Sequence, residues 1–439
     1  MEPMKEVFLK MIEVMELFPG IMLRTCQDPR FKQGCLSVQI LREMCPQEAS
    51  LNALLPAVLL RGSKEHPDIR SIIRRLDALY GATVGAQVRR VGDYQTTGFY
   101  CAFMDDRFAL PGDQVMEPMF AFAEELLLRP RLDERYETKS FEESYVEGEK
   151  KNLISTIESE RNDKQIYAMR RLLNIMCQGD TFSLSRLGTP EQVAAITPRQ
   201  LYEHWERILR TSPINLFYVG SADPQRVADL LRPFFGKLDR SFTPVAPQVP
   251  FYPGRGDHVT ETMEVAQGKL CMGFNTPITN RDPQFFAMQV MNTIFGAGMT
   301  SKLFNNVREK MSLCYNIGSG YYSTKGILTV SAGIDFDKEE KTRQEILHQL
   351  KLMQQGEITE EEMKAAKQAL YSGLRAVADS PGSLESYYST ACLSGLNLNT
   401  SQYILAISKV TVKQVMEAAG TLELNSSYFL KGGSDHGED

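Results

Sequence analysis

The chain has 439 residues, enough for two or three domains rather than one. Hydrophobic residues make up 43% and charged residues 24%, which are ordinary values for a globular protein with large cores. The net charge is −6, and no basic run is interleaved with aromatic residues. We therefore expect no nucleic-acid partner.

The first twenty residues do not have the pattern of a signal peptide. Glu2, Glu6, Glu13 and Glu16 interrupt the apolar residues there, and no stretch of the chain is long and apolar enough for a membrane span. The eight cysteines are scattered without a C-x-x-C motif, which is typical of reduced thiols. These features predict a cytoplasmic protein that does not associate with a membrane.

Helix and strand signals are clear in both halves of the chain. Pro67 and Asp68 begin a predicted helix that Gly81 can end, and the stretch ATVGAQVRRVGDYQTTGFYCAFM after it predicts two adjacent strands. In the second half, Thr359 and Glu362 have the spacing of a capping box at the start of a helix. The apolar residues that predict a core face on the first helix are Ile69, Ile72, Ile73, Leu76 and Leu79.

A proline-rich segment divides the chain into halves of similar size. Residues 239–257 contain four prolines and two glycines and lack a helical period, which predicts an extended linker. We predict an N-terminal domain over 1–235, a linker over 236–249 and a C-terminal domain over 250–439.

The two halves contain a short internal repeat. ITPRQLYE at Ile196–Glu203 and VTVKQVME at Val410–Glu417 match at a threonine, a glutamine and a glutamate. Thr197 and Thr411 are each placed to cap a helix, and a strand-like run follows each helix. Chance similarity of one capped helix is the alternative. With the linker, the repeat predicts an α+β protein of two related domains, each a mostly antiparallel sheet packed on one face by helices.

The order of these segments resembles that of the pitrilysin/insulinase family of zinc peptidases over nearly the whole chain. Family members have an H-x-x-E-H helix, then a hydrophobic stretch and K-G-T. Here RGS at 61–63 stands at the K-G-T position, and IRRLDALYGATVGAQ at 73–87 matches the helix and strand that follow.

The resemblance places the zinc motif on residues that cannot bind zinc. Counting back from Arg61, the two histidines of the motif fall on Ala53 and Ala57, and the catalytic glutamate falls on Pro56. A site of this kind needs two imidazoles one helical turn apart and a carboxylate that activates water. We therefore predict no catalytic residue and no metal site in this chain.

No other part of the sequence replaces the motif. The family's third zinc ligand falls near Thr156, where Glu158 and Glu160 are most simply solvated surface residues. Glu65 and His66 imitate the end of the motif, but Gly62 stands where its first histidine would be, and we expect His66 to be a surface residue. The five histidines are far apart in sequence, and no nucleophile motif such as G-x-S-x-G occurs.

The second half keeps a different motif of the same family. The sequence FGAGMTSKLFNNVREKMSLCYNIGSGYY at 295–322 has a Gly-rich turn, a helix and then an arginine and a tyrosine seven residues apart, Arg308 and Tyr315. The resemblance implies that these two residues hold the backbone of a substrate opposite the zinc. A guanidinium can donate to carbonyls, and a phenol can donate to an oxyanion. A purely structural role for the pair is the alternative.

The resemblance therefore implies a non-catalytic subunit that binds peptide and complements a zinc-containing homologous partner in peptide processing. We expect no cofactor in this chain, zinc only in the partner, and either that partner or a second copy of the chain as the binding partner. The second hypothesis is a stand-alone scaffold. A long charged helix predicted over residues 149–172 resembles a zinc-less bacterial subgroup associated with 5-aminopentanol modification of translation elongation factor P. A peptidase with an unrecognised site is the third.

Overall fold

The computed structural model describes residues 12–133, 135, 138–250 and 256–433. In the first half, the strands are β1 (Glu13–Phe18), β2 (Ile21–Gln27), β3 (Gln33–Glu43), β4 (Thr83–Val91), β5 (Tyr94–Met104) and β6 (Ile214–Gly220). The helices are α1 (Ala49–Leu59), α2 (Ile69–Ala78), α3 (Met116–Leu128), α4 (Glu143–Asn162), α5 (Lys164–Met176), α6 (Pro190–Ala195), α7 (Pro198–Thr211) and α8 (Pro224–Phe235).

The second half has the strands β7 (His258–Met263), β8 (Gly268–Asn275), β9 (Asn316–Tyr322), β10 (Ile327–Ile334) and β11 (Glu423–Gly432). Its helices are α9 (Phe285–Asn292), α10 (Glu339–Gln354), α11 (Glu360–Val377), α12 (Pro381–Ser394), α13 (Thr400–Ser408) and α14 (Val412–Gly420). Two wider π-helical segments, Thr293–Ala297 and Leu303–Lys310, lie between α9 and β9. Within the described residues, no helix is both long and apolar enough to span a membrane.

Contacts divide the chain into two compact units, and each unit includes a helix from the other half of the sequence. The first unit comprises Met1–Glu158, Leu184–Pro247 and Ala376–Leu393, so it takes in nearly all of α12. The second comprises Ser159–Ser183, Gln248–Arg375 and Ser394–Asp439, so it takes in α5. The division into sequence domains at 236–249 stays a prediction.

The first unit is built on a six-stranded sheet in the order β1-β2-β6-β3-β5-β4. Alternate residues of β3, such as Leu36 and Val38, point into the main core, which they share with apolar residues of α1, α3, α7 and α8. Cys35 on the same strand lies in a separate cluster with Leu384 and Tyr388 of α12. The second face of this sheet is therefore covered by the helix from the other half.

The second unit is built on a five-stranded sheet in the order β7-β11-β8-β10-β9. Leu270, Met272 and Phe274 of β8 belong to the main core of this unit. Cys271, on the other face of β8, packs with Ala168 and Leu172 of α5. Helices of the same half cover one face of each sheet, as predicted, and a single helix of the other half adds cover on the second face.

The shared topology of the two sheets confirms the predicted repeat. Strands β6 and β11 each pair in parallel with one neighbour and antiparallel with the other, and the remaining pairs correspond in order. Thr197 and Thr411 cap the helices that precede these two strands, and each forms a capping box with a glutamine three residues later, Gln200 or Gln414. The alternative of chance similarity is therefore wrong.

Most local predictions are confirmed, and two are wrong. Helix α2 begins after its cap Asp68, and Gly81 follows it with a φ of +71°, a conformation that favours glycine. However, Ile69 and Ile73 are about half exposed, since a strongly charged helix presents only a narrow face to the core. The predicted long helix is interrupted because the Asp163 side chain accepts hydrogen bonds from the first turn of α5.

The linker has no helix or strand over residues 238–250, all of which are described. Its first part is held within the first unit, because the Thr243 amide donates to the Thr211 carbonyl at 2.8 Å and the Tyr94 hydroxyl donates to the Ala246 carbonyl at 2.7 Å. The remainder of the predicted linker over 251–255 lies outside the described residues.

Candidate functional site

The residues at the zinc-motif positions lie on α1, as predicted. Pro56 stands inside the helix and has no N–H to donate to the Asn52 carbonyl one turn earlier. The Thr97 hydroxyl of β5 donates to that carbonyl instead, at 2.7 Å. Because the strand supplies the missing hydrogen bond, α1 continues through Pro56, which occupies the position of the catalytic glutamate.

The surroundings of Ala53 are apolar. Its methyl group lies in a buried cluster with Ile157, Leu187 and Val193, each at most 6% exposed. Alanine methyl groups have no lone pair for a metal, and the side chains clustered with Ala53 are apolar. Among the described residues, no group of three or more histidine, cysteine, aspartate or glutamate side chains could hold a metal ion. The residues present do not fit zinc.

The position of the third ligand is equally unsuitable. The Thr156 hydroxyl donates to the Asn152 carbonyl on its own helix at 2.9 Å. Glu158 is exposed, as predicted, whereas Glu160 is only 16% exposed and forms an ion pair with Arg170. These contacts are those of an ordinary helix surface.

Two of the histidines are structural. His66 is less exposed than predicted, because its Nδ1 lies 2.9 Å from Oε1 of the buried Glu125, to which the Ser63 hydroxyl also donates. A buried carboxylate needs such donors. His204 is buried, with Nε2 2.7 Å from Asn52 Oδ1 and Nδ1 2.7 Å from an Arg207 nitrogen. Burial lowers the pKa of His204 to about 4, which keeps the ring neutral.

Arg308 lies on the π-helical segment Leu303–Lys310 of the second unit. Ser301 accepts a hydrogen bond from the Phe304 amide at 3.3 Å and so caps this segment, and Leu303 and Val307 fix its inner face in the core. The Arg308 guanidinium stacks on the Phe304 ring, 4.6 Å from its centroid, and the side chain is 39% exposed. The stacking holds the guanidinium in place, and its Nε lies 3.6 Å from Oε1 of the neighbouring Glu309.

Tyr315 precedes β9, and the structure gives it a partner that the sequence did not reveal. Its hydroxyl donates to Oδ1 of Asp335 at 2.8 Å, and this hydrogen bond raises the pKa of Tyr315. The residue is 60% exposed. Asp335 lies in the turn after β10, the strand that pairs with β9. An acidic residue at the end of that neighbouring strand is the sequence signal that could have identified it.

The Gly-rich turn brings the motif close to β9. A Cβ atom on Gly296 would lie 2.6 Å from the Ser319 hydroxyl oxygen, so only glycine fits there. That hydroxyl bonds to Asn292 Oδ1 at 2.7 Å. The close approach of the two backbones explains the glycine.

Two related α+β units, a helix at the zinc position without ligands, and an accessible arginine–tyrosine pair define a metallopeptidase homologue that has lost its metal site. The family described as "Peptidase M16 inactive domain" matches residues 195–370. The chain is therefore similar to members of the pitrilysin/insulinase (peptidase M16) family, and the part that the family model matches lies mostly in the second half.

Relatives of two kinds are similar to the chain. The "Probable inactive metalloprotease YmfF" of Bacillus subtilis is 29% identical over 413 residues, which cover 94% of this chain and 96% of that protein. The "Uncharacterized zinc protease YmxG" of the same bacterium is 23% identical over 45% of this chain and 48% of that protein. A conserved protein from Enterococcus faecalis has the same fold, with a TM-score of 0.88, 26% identity and coverage of 98% and 100% of the two chains.

Proposed function

We propose that this protein is a non-catalytic subunit that binds peptide and completes the active site of a zinc-containing homologue. The observation that carries the proposal is the contrast within one chain. Ala53 and Ala57 replace the zinc ligands, whereas Arg308 and Tyr315 keep the residue types that hold a substrate backbone. Both of these side chains are accessible in the second unit.

An open strand edge in the first unit supports peptide binding. Strand β4 is the outermost strand of its sheet, and Gly85 and Ala86 at its centre are exposed. The backbone groups at such an edge can pair with an extended peptide that adds a further strand. Binding of this kind depends on the backbone, so it tolerates many peptide sequences.

The partner that fits this proposal carries the H-x-x-E-H motif. One bacterium contains both a probable inactive metalloprotease and a zinc protease that are similar to this chain, so both kinds of subunit can occur together. Zinc then belongs to the partner alone. A pair of identical copies would have no zinc site. All eight cysteines are free thiols, which agrees with the cytoplasm as the place of assembly.

A scaffold that acts without such a partner is the second candidate. The exposed charged face of α4, which includes Lys151 and Glu158, is a surface that another protein could contact. The resemblance to the subgroup associated with elongation factor P modification concerns this same region. Under this hypothesis, the proteins recovered with the chain from its native cells would belong to that modification pathway and include no zinc peptidase.

The test is to express the chain with the H-x-x-E-H homologue of its own organism and to measure cleavage of a quenched fluorescent peptide library. The chain alone should contain no stoichiometric zinc and cleave nothing, whereas the complex should cleave. Arg308→Lys replaces a guanidinium that can donate two parallel hydrogen bonds with an ammonium, and it should lower kcat/KM on the order of a hundredfold. Tyr315→Phe should lower it about tenfold.

Both variants should bind the partner with unchanged affinity, which gel filtration can verify. Lys310→Arg, on the same segment but exposed, keeps the charge and the donors; it is the control and should cleave normally. Full activity of the Arg308→Lys complex would show that the pair does not hold substrate. Recovery of proteins of the elongation factor P modification pathway from native cells, without a zinc peptidase, would favour the scaffold.

A further inference from the structure

A polar cluster holds Tyr315 in a fixed setting. Oδ1 of Asp335 accepts the Tyr315 hydroxyl at 2.8 Å, while Oδ2 lies 2.7 Å from the Lys338 ammonium. Lys338 also donates to the Ser312 carbonyl at 3.2 Å. The cluster therefore joins the turn after β10 to the segment that leads from Arg308 to Tyr315.

The position that Lys338 contacts is conformationally unusual. Ser312 has a φ of +49°, which residues other than glycine seldom adopt. Its amide donates to the Arg308 carbonyl at 3.0 Å, in the turn that follows the end of the π-helical segment at Lys310. A contact that stabilises this turn also sets how the chain passes from Arg308 to Tyr315.

The hydroxyl of Tyr315 has one proton, and the group that accepts a hydrogen bond from it determines what else the residue can bind. A carboxylate that faces an ammonium stays ionised and can only accept hydrogen bonds. Lys338 and Tyr315 both donate to Asp335, and these hydrogen bonds lower the pKa of Asp335. The Tyr315 proton is therefore used by Asp335, and only the oxygen lone pairs are left for a ligand.

We propose, building on the peptide-binding function above, that Asp335 fixes the Tyr315 hydroxyl as a hydrogen-bond acceptor for a backbone N–H of the bound peptide. Arg308 supplies donors for a backbone carbonyl. Together they recognise the two polar groups of an intact extended peptide. A tyrosine that donated to an oxyanion would instead need its proton free. Asp335 is a positioning residue in this site, and the site is suited to holding an uncleaved chain.

The test uses ester analogues that each delete one backbone N–H. The probe is an N-acetylated, fluorescein-labelled decapeptide of alternating alanine and threonine, together with analogues carrying one ester at each central position. Binding to the full chain is measured by fluorescence anisotropy. The wild-type protein should lose about tenfold in affinity for one ester analogue, because that analogue leaves Tyr315 without its donor.

Two variants assign this loss to the cluster. Tyr315→Phe should bind the all-amide peptide about tenfold more weakly and should no longer distinguish the ester. Asp335→Ala releases the hydroxyl proton, so discrimination against the ester should fall below about threefold while thermal unfolding stays unchanged. Asp337→Asn removes a charge at a neighbouring exposed position and should behave as wild type.

The outcomes separate this inference from the function on which it rests. If the decapeptide does not bind, or if Arg308→Lys binds it as well as wild type, both proposals are wrong. If Arg308→Lys weakens binding but no ester analogue differs from the amide peptide, peptide binding stands and the acceptor role of Tyr315 is wrong. Discrimination that survives in Asp335→Ala also overturns the role of Asp335.

Discussion

The two units share a sheet topology but differ at their functional positions. Strands β2-β6-β3-β5-β4 of the first sheet correspond in order and pairing to β7-β11-β8-β10-β9 of the second. In the first unit, Ala53 lies in a buried cluster of apolar side chains. In the second, Arg308 and Tyr315 are accessible, and little of the packing depends on them. A fold of this kind can therefore lose its metal chemistry while its framework persists.

The units also differ in how each one holds the helix from the other half. Glu385 of α12 is fully buried in the first unit, where it accepts two hydrogen bonds from Arg89 and one from Gln39. Glu261 of the second unit accepts from Tyr167 and Arg171 of α5, but its side chain is 29% exposed. Burial makes the first carboxylate much more dependent on its partners.

The largest effect is expected at this buried carboxylate. Glu385→Ala leaves the Arg89 guanidinium without its counter-charge and should lower the free energy of unfolding by about 3–5 kcal/mol. Glu261→Gln should cost only about 1 kcal/mol, because water can replace the lost contacts. Guanidinium chloride unfolding measures both.

The double variant Glu385→Met with Arg89→Met removes both charges and should recover much of the loss. If Glu385→Ala and Glu261→Gln cost the same, burial does not distinguish the two helix attachments and the comparison between the units fails.

Features that depend on neighbouring residues could be predicted from the sequence. The Asp68 cap and the threonine caps of the repeat follow from local hydrogen bonding and apolar spacing, whereas the helix that carries Ala53 and Ala57 follows from the family resemblance. Two methyl groups at the histidine positions of the motif exclude zinc ligation by those residues whatever the surrounding fold.

Features that depend on distant residues could not be predicted. Arg89 and Glu385 are 296 positions apart, and no local pattern indicates that they meet. The same is true of Asp335, since its role arises from the pairing of β9 with β10. The exposure of Ile69 and Ile73 shows a further limit, because apolar spacing predicts a helix but not how wide its buried face is.

A smaller effect is expected from the buried histidine of the first unit. Burial lowers the pKa of His204 to about 4 from an ordinary value of 6.5, so below pH 6.5 the unfolded chain binds a proton that the folded chain does not. Stability should therefore fall as the pH drops from 6.5 to 4, by up to about 3 kcal/mol. Urea unfolding across this range measures the slope.

His204→Gln can keep the hydrogen bonds to Asn52 and Arg207 but does not titrate. Its free energy of unfolding should therefore fall by about 3 kcal/mol less between pH 6.5 and 4 than that of the wild type. His348→Gln, at an exposed position of α10 in the second unit, is the control and should retain the wild-type slope. Equal slopes for all three proteins would contradict a buried neutral His204.

The smallest effect concerns the two capping boxes, where the units should behave alike. The Thr197 hydroxyl accepts from the Gln200 amide at 3.2 Å, and the Thr411 hydroxyl accepts from the Gln414 amide at 3.3 Å. Both threonines are exposed, so alanine there removes a hydrogen bond without creating a cavity. Thr197→Ala and Thr411→Ala should each cost about 1 kcal/mol. Serine at either position keeps the oxygen and should cost much less.

The measurement is the loss of amide-exchange protection in α7 and α14, which reports each helix separately even if the units unfold in different transitions. A loss confined to one helix would mean that the repeat preserves the geometry of the two boxes but not their energetic contribution.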